Sequence, residues 1–199
     1  MLIDHDQRRT ELAAAVWKVI QQKGVTRVSL RAVAAEAGLS TGSLRHVFPT
    51  KADLLAFSME LVHQRFSARA EKHNTEQSPD LVAWLCELLP LDDERRLEMD
   101  VNLALFAEGG AGPQSLHMRE STATGIHEVC RHALRHHGIR AHLRSDLDLD
   151  WEIPRLAALI DGLALQLQAR TALLTPELAV RILRDHTDGL RPRQPDASP

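Results

Sequence analysis

The sequence predicts an all-α fold, with a three-helix N-terminal helix-turn-helix domain and a larger C-terminal helical body. Three observations carry this expectation. Alternating polar and apolar runs of the strand type are almost absent from the 199 residues, whereas apolar residues recur at spacings of three and four from Leu12 to Leu183. Residues 29–51, SLRAVAAEAGLSTGSLRHVFPTK, hold two short helical patterns separated by one glycine and flanked by capping residues. The hydrophobic content, 44% of the chain, is enough to build real cores and excludes a disordered protein.

The first helix is expected over about residues 7–23, where Leu12, Ala15, Val16, Val19 and Ile20 share one side; Gly24 ends it. Ser29 caps the second, in which Leu30, Val33, Ala34 and Ala37 repeat at i, i+3, i+4 and i+7 while Arg31 and Glu36 take the other face. Gly38 tolerates the left-handed backbone that closes a helix, Leu39 plugs the corner, and Ser40 caps the next helix. That third helix, Thr41 to Phe48, is expected to bury Leu44, Phe48 and part of Val47, turning Thr41, Ser43, Arg45 and His46 outward. Pro49 stops it. Thr50 and Asp53 then form a capping-box-like start for a fourth helix that holds Lys51 in its first turn. A cation at the positive end of a helix is locally unfavourable, so Lys51 points to an anionic partner such as phosphate.

The fourth helix is expected from Lys51 to near His73, through Leu54, Leu55, Met59, Leu61, Val62 and Phe66, long enough to join two domains. Asn74 to Pro79 is a polar break. A helix with Leu81, Trp84, Leu85 and Leu88 follows, then a loop at Pro90 to Glu94 and a helix with Leu97, Val101, Ala104 and Leu105. GGAGP at 109–113 closes that helix, and a long one is expected over residues 114–137. Residues 138–152 are expected to be an acidic loop. Two final helices, Pro154 to Arg170 and Pro176 to Gly189, carry one stripe of Leu156, Leu159, Ile160, Leu163 and Leu167 and another of Leu178, Ile182 and Leu183 with His186. The tail RPRQPDASP lacks apolar anchors and is expected to fray.

At Gly24-Val25-Thr26 and SLRAVAAEAGLSTGSLRHVFPTKADLL the chain resembles the TetR family of bacterial one-component transcriptional regulators. LAALIDGLALQL from Leu156 to Leu167, followed by LTPELAVRIL, is similar to the last two helices of the BetI-like branch. The resemblance implies a ligand-responsive regulator, with repression the expected sign, that binds a palindromic operator in double-stranded DNA as a homodimer. It implies a DNA-binding domain at 1–50, a helical effector-binding and dimerisation domain at 51–190, and a flexible tail at 191–199. Arg45 and His46 are expected to read base edges while Ser29 and Lys51 hold phosphates; Arg31, Thr41, Gly42 and Ser43 complete the expected DNA-binding set. One departure lies in the third helix. Most family members carry an aromatic pair and then histidine before the phenylalanine, where this chain has Arg45, His46 and Val47. The docking carries over, and the base sequence read does not.

In the body the resemblance implies an effector pocket for an unknown small molecule, and the candidate ligand-binding residues are Trp84, Met99, Phe106, His127 and Asp161, with Cys130 nearby. Aromatic and Met residues at helical spacing also serve as plain core. Asp161 is more pointed, because a carboxylate within an apolar stripe must be paired or functional, although a dimer face or a backbone partner would also satisfy it. The stripe on the last two helices has two explanations, intrachain core or dimer face, and the resemblance selects a homodimer through those helices.

The net charge of −3 hides a polarity: residues 1–55 hold 8 Lys and Arg against 5 Asp and Glu, or +3, and the remainder holds 16 against 22, or −6. A basic head on an acidic body suits a protein that meets DNA with one end. No apolar run of about 18 residues and no signal-peptide pattern is present, so no membrane partner is expected and a cytoplasmic location is. Cys86 and Cys130 form no CxxC pair and are expected to be buried thiols. His132, His136, His137 and His142 cluster, but they alternate with arginines and lack a completing ligand, so no metal and no cofactor is expected. An enzyme is the rival from another class, yet no GxSxG, P-loop or dinucleotide glycine turn and no catalytic constellation is found. A helix-turn-helix adapter that binds protein is the other alternative; its binding would lack the steep salt dependence of phosphate contacts.

Overall fold

The computed structural model describes residues 2–74, 80–108, 113–135 and 142–192, and among these every regular element is helical. The elements are α1 (Leu2–Lys23), a 3₁₀ turn (Val25–Arg27), α2 (Leu30–Glu36), α3 (Thr41–Val47), α4 (Lys51–Asn74), α5 (Leu81–Cys86), α6 (Asp93–Glu108), α7 (Pro113–Arg135), α8 (Leu149–Gln168) and α9 (Pro176–Asp188). They form two compact units, residues 1–65 with 96–122 and residues 66–95 with 123–199. Helix α4 contributes residues 51–65 to the first and 66–74 to the second.

The core of the first unit follows the predicted stripes. Val16, Val19 and Ile20 of α1, Val33 and Ala34 of α2, Leu44 of α3, Leu54 and Leu55 of α4 and Val101 of α6 are all essentially removed from solvent in one cluster. Helix α2 packs on α1 and on α3. The rings of Phe48 and Phe57 lie 5.0 Å apart, and the Arg65 guanidinium sits 4.0 Å over the Trp17 ring, a cation–π contact between α4 and α1. Helix α1 starts at Leu2 rather than near Gln7. No breaker precedes Gln7 in the sequence.

In the second unit α9 packs against both α5 and α8. Leu156, Ile160, Leu163 and Leu167 of α8 and Leu183 of α9 are buried within the chain, so the α8 stripe is intrachain core. The exposed large hydrophobics of these two helices and the segment between them are instead Trp151, Leu165 and Leu173. Helix α8 also begins five residues before Pro154, inside the segment expected to be loop. Asp148 explains this: its Oδ1 accepts from the amides of Asp150 and Trp151 at 3.0 and 3.3 Å, capping the helix ahead of the proline. The early turn buries Glu152, whose Oε1 lies 2.8 Å from Nε2 of His186 on α9, a contact that is ionic only when the imidazole is protonated. The expected loop at 90–94 is likewise cut short, because Asp92 Oδ1 accepts from Arg95 N at 2.8 Å and starts α6 at Asp93. Pro113 opens α7, a position at which its missing N–H costs nothing.

A half-buried charge cluster fastens the middle of this unit. Glu87 receives Arg69 Nε at 2.8 Å and His73 Nε2 at 3.2 Å, both from α4, and Arg95 Nη1 at 3.4 Å from α6. Arg95 also donates to the Cys86 carbonyl at 3.0 Å. Loss of Glu87 would remove the carboxylate that Arg69, His73 and Arg95 share.

Candidate nucleic-acid interface

Local capping builds this surface. Ser29 Oγ accepts from Ala32 N at 3.2 Å and starts α2. Gly38 has φ +67°, the left-handed region, and Leu39 N reaches back to Ala34 O at 2.8 Å, closing α2. Ser40 Oγ accepts from Ser43 N at 3.0 Å and starts α3. The Thr50–Asp53 capping box is complete: Thr50 N donates to Asp53 Oδ2 at 2.9 Å, and Asp53 N donates to Thr50 Oγ1 at 3.1 Å. Four local devices therefore set the geometry of a helix, a tight turn, a second helix and the start of a third.

Within α3 only Leu44 is buried; the residue that follows the helix, Phe48, is 7% exposed. At 100° per residue, Gly42 and His46 lie opposite Leu44, Thr41 and Arg45 form one flank, and Ser43 and Val47 form the other. All six are exposed. The outward set read from the sequence is thus brought together on one seven-residue helix, with Arg31 exposed on α2. Ser29 and Lys51 are half-buried at the starts of α2 and α4. Val47 is 47% exposed, so it is covered only in part, as expected. Helical spacing accounts for this, because Val47 lies about 40° from exposed Ser43 and about 60° from buried Leu44.

The candidate effector residues are more scattered. Trp84 is buried on α5, with its ring 5.7 Å from Phe66 in an edge-to-face arrangement and 6.3 Å from His132. His127 and Asp161 belong with Trp84 to the second unit, and Met99 to the first. Phe106 lies in α6, and its side chain is outside the described residues. Asp161 is exposed on α8 beside the buried stripe; surrounding protein raises its carboxyl above the usual range, and His127 opposes this. Burial pushes the Cys130 thiol up to about 12, with the Asp161 charge adding to it, and also raises Cys86, which is half-buried. Neither thiol is primed as a thiolate. Among the described residues no three His, Cys, Asp or Glu side chains are grouped to hold a metal; His136 and His137 lie outside them. No described helix is long and apolar enough to cross a membrane.

Comparison with known proteins places this geometry. Residues 12–56 match the family model for bacterial regulatory proteins of the tetR family, and residues 79–192 match that for the C-terminal domain of BetI-type transcriptional repressors. The HTH-type transcriptional regulator PksA of Bacillus subtilis (strain 168) is 32% identical over 191 residues, covering 94% of this chain and 92% of that protein. A transcriptional regulator from Rhodococcus sp. Rha1 superposes with a TM-score of 0.69 at 29% identity, over 92% of this chain and 95% of that one. A regulator from Saccharomonospora viridis, solved in complex with choline, has the same fold, with a TM-score of 0.72 at 23% identity over 94% of this chain and 100% of that one. A full-length relative and two family models that between them span the DNA-reading helices and the body lead to one conclusion: the chain belongs to the TetR family of transcriptional regulators, with a BetI-type C-terminal domain.

Proposed function

We propose that this protein is a one-component, ligand-responsive repressor that binds a palindromic operator as a homodimer in the cytoplasm. The observation that carries the reading is the exposed face of α3, where Arg45 and His46 stand on a helix fixed at both ends by caps, with Lys51 opening α4 beyond it. Arg45 and His46 read base edges in the major groove; Lys51, Ser29, Arg31, Thr41, Gly42 and Ser43 position the helix against the backbone. Residues 1–50 serve as the reading head and residues 51–190 as the effector-binding and dimerisation body.

Dimerisation uses the side of α8 and α9 left outside the intrachain core. Trp151, Ala158 and Leu165 are exposed on α8 and Gly162 is half-buried, and at these spacings they form one stripe in which small residues allow a partner helix to approach. Two recognition helices about one DNA turn apart, roughly 34 Å, would then enter successive major grooves.

The effector is an organic molecule held in the body, and Trp84, His127 and Asp161, which belong to one unit, are its candidate contacts. The choline complex of the Saccharomonospora regulator supports a small-ligand site in this fold. Helix α4, which begins at Lys51 and supplies residues to both units, is the element whose displacement would alter the spacing of the heads.

Selection of bound sequences from a random DNA pool with the full-length protein tests the reading. A palindromic consensus is expected, with affinity falling log-linearly as salt rises. Binding without sequence enrichment or salt dependence would favour a protein-binding adapter and refute the proposal. Once a ligand is found, its calorimetric titration with and without operator should differ by about 5- to 150-fold; equal affinities would refute the switch.

A further inference from the structure

We propose that Val47 is a base-reading residue that packs on the C5 methyl of a thymine in each half-site. The inference rests on the DNA-binding reading above and names a determinant that reading does not include. Val47 ends α3 and is 47% exposed, although it stands next to Phe48, which is 7% exposed. The other exposed positions of this helix are Thr41, Gly42, Ser43, Arg45 and His46, which makes Val47 the one bulky apolar group among the exposed positions of α3.

Its flank is otherwise quiet. Ser43, one turn earlier on the same side, has its hydroxyl 2.9 Å from Ser40 Oγ, and the same Ser40 oxygen takes the Ser43 amide. Ser43 is therefore tied to the cap at the start of the helix, and Val47 is the apolar group that this flank presents at the helix end. That group neither donates nor accepts a hydrogen bond, so a phosphate would lose solvation beside it and gain nothing. Among the groups a base pair displays in the major groove, the thymine methyl is the apolar one. A single exposed hydrophobic residue is ordinary on a protein surface. Here it stands at the C-terminal end of the helix that faces the bases, about 100° from His46 and on the flank opposite Arg45, where it would meet the groove on the side away from the base Arg45 reaches.

The experiment uses the full-length protein and the operator obtained by selection. Each thymine is replaced in turn by deoxyuracil, which pairs identically and lacks only the methyl group. For the parent protein one position per half-site should lose about fourfold in affinity, the worth of one buried methyl group. Val47→Ala and Val47→Ser should be insensitive to uracil at that position and unchanged at the others. Val47→Thr retains one methyl on the same β-branched stem and should keep the sensitivity. An operator in which no thymine of the parent complex responds to loss of its methyl would overturn the proposal, as would a Val47→Ala protein with the parental response. Because the uracil scan on the parent needs no variant, a misfolded mutant does not remove the test. A selection that enriches no sequence overturns both this assignment and the DNA-binding reading, whereas an enriched operator with no methyl response overturns this assignment alone.

Discussion

Replacing Gly42 by alanine should move folding and DNA binding in opposite directions. Gly42 is the second residue of α3 and lies opposite the buried Leu44, at the centre of the outward face. A Cβ built on it meets only Ser40 Oγ, at 3.7 Å, which is an ordinary van der Waals contact, and its φ is not in the left-handed region. The folded protein therefore has room for the methyl group. Alanine also restricts the unfolded chain, and a helical Gly→Ala change without strain stabilises by about 0.5–1 kcal/mol. For a chain of this size that corresponds to a rise of about 1–4 °C in Tm. In the complex the same methyl group stands where the backbone meets DNA. It should hold α3 away from the groove and weaken every half-site contact together, by an order of magnitude or more. Denaturation monitored by circular dichroism and operator titration by fluorescence anisotropy give the two readouts. If Gly42→Ala bound the operator as tightly as the parent, the face containing Gly42 and His46 would not be the one against DNA. If it lowered stability, the local geometry argued for α3 would be wrong. Gly38 supplies the contrast: its φ of +67° makes Gly38→Ala destabilising, by about 1–2 kcal/mol, despite equally open space around it.

Three further outcomes are expected. Arg45→Ala should relax preference at one base pair per half-site by about 1–3 kcal/mol in a binding selection, while Lys51→Ala should weaken all sequences alike and lower the salt slope by about one; identical base preference in Arg45→Ala and parent would sink the assignment. Leu165→Glu should shift sedimentation toward monomer with helicity retained, whereas Leu163→Ala, in the intrachain core, should cost about 2–5 kcal/mol of stability; a Leu165→Glu protein still dimeric at micromolar concentration would exclude that face of α8. Burial holds the His186 imidazole below its ordinary pKa of 6.5, and Glu152 opposes this only in part. The native state thus favours the neutral ring, so this contribution is complete above the ordinary value and lost as pH falls from 6.5 toward the lower native value. His186→Gln should therefore destabilise less steeply between pH 7 and 5 in urea titrations, and an unchanged pH slope would refute it.

The sequence alone determined the elements whose causes are local. Ser29, Gly38, Ser40 and the Thr50–Asp53 pair act within three or four residues of themselves, so the helix-turn-helix could be read before any packing was known. The outward set on α3 followed from one helical turn of counting. Starts governed by Asp92 and Asp148 are equally local, but each lies within a segment expected to be loop, 90–94 and 138–152, the second ahead of a proline that itself suits a helix start. Tertiary structure alone decided the rest. A stripe of Leu156, Ile160, Leu163 and Leu167 looks the same whether its own chain or a second copy covers it, and only the packing of α8 within its own unit assigned it to the core. Asp161 stands beside that stripe and is nonetheless exposed, since one residue of rotation carries a side chain 100° around the helix. Glu152 and His186 meet across 34 positions of sequence, and Glu87 gathers cations from α4 and α6. Such contacts depend on where distant helices cross, a property that no window of local periodicity contains.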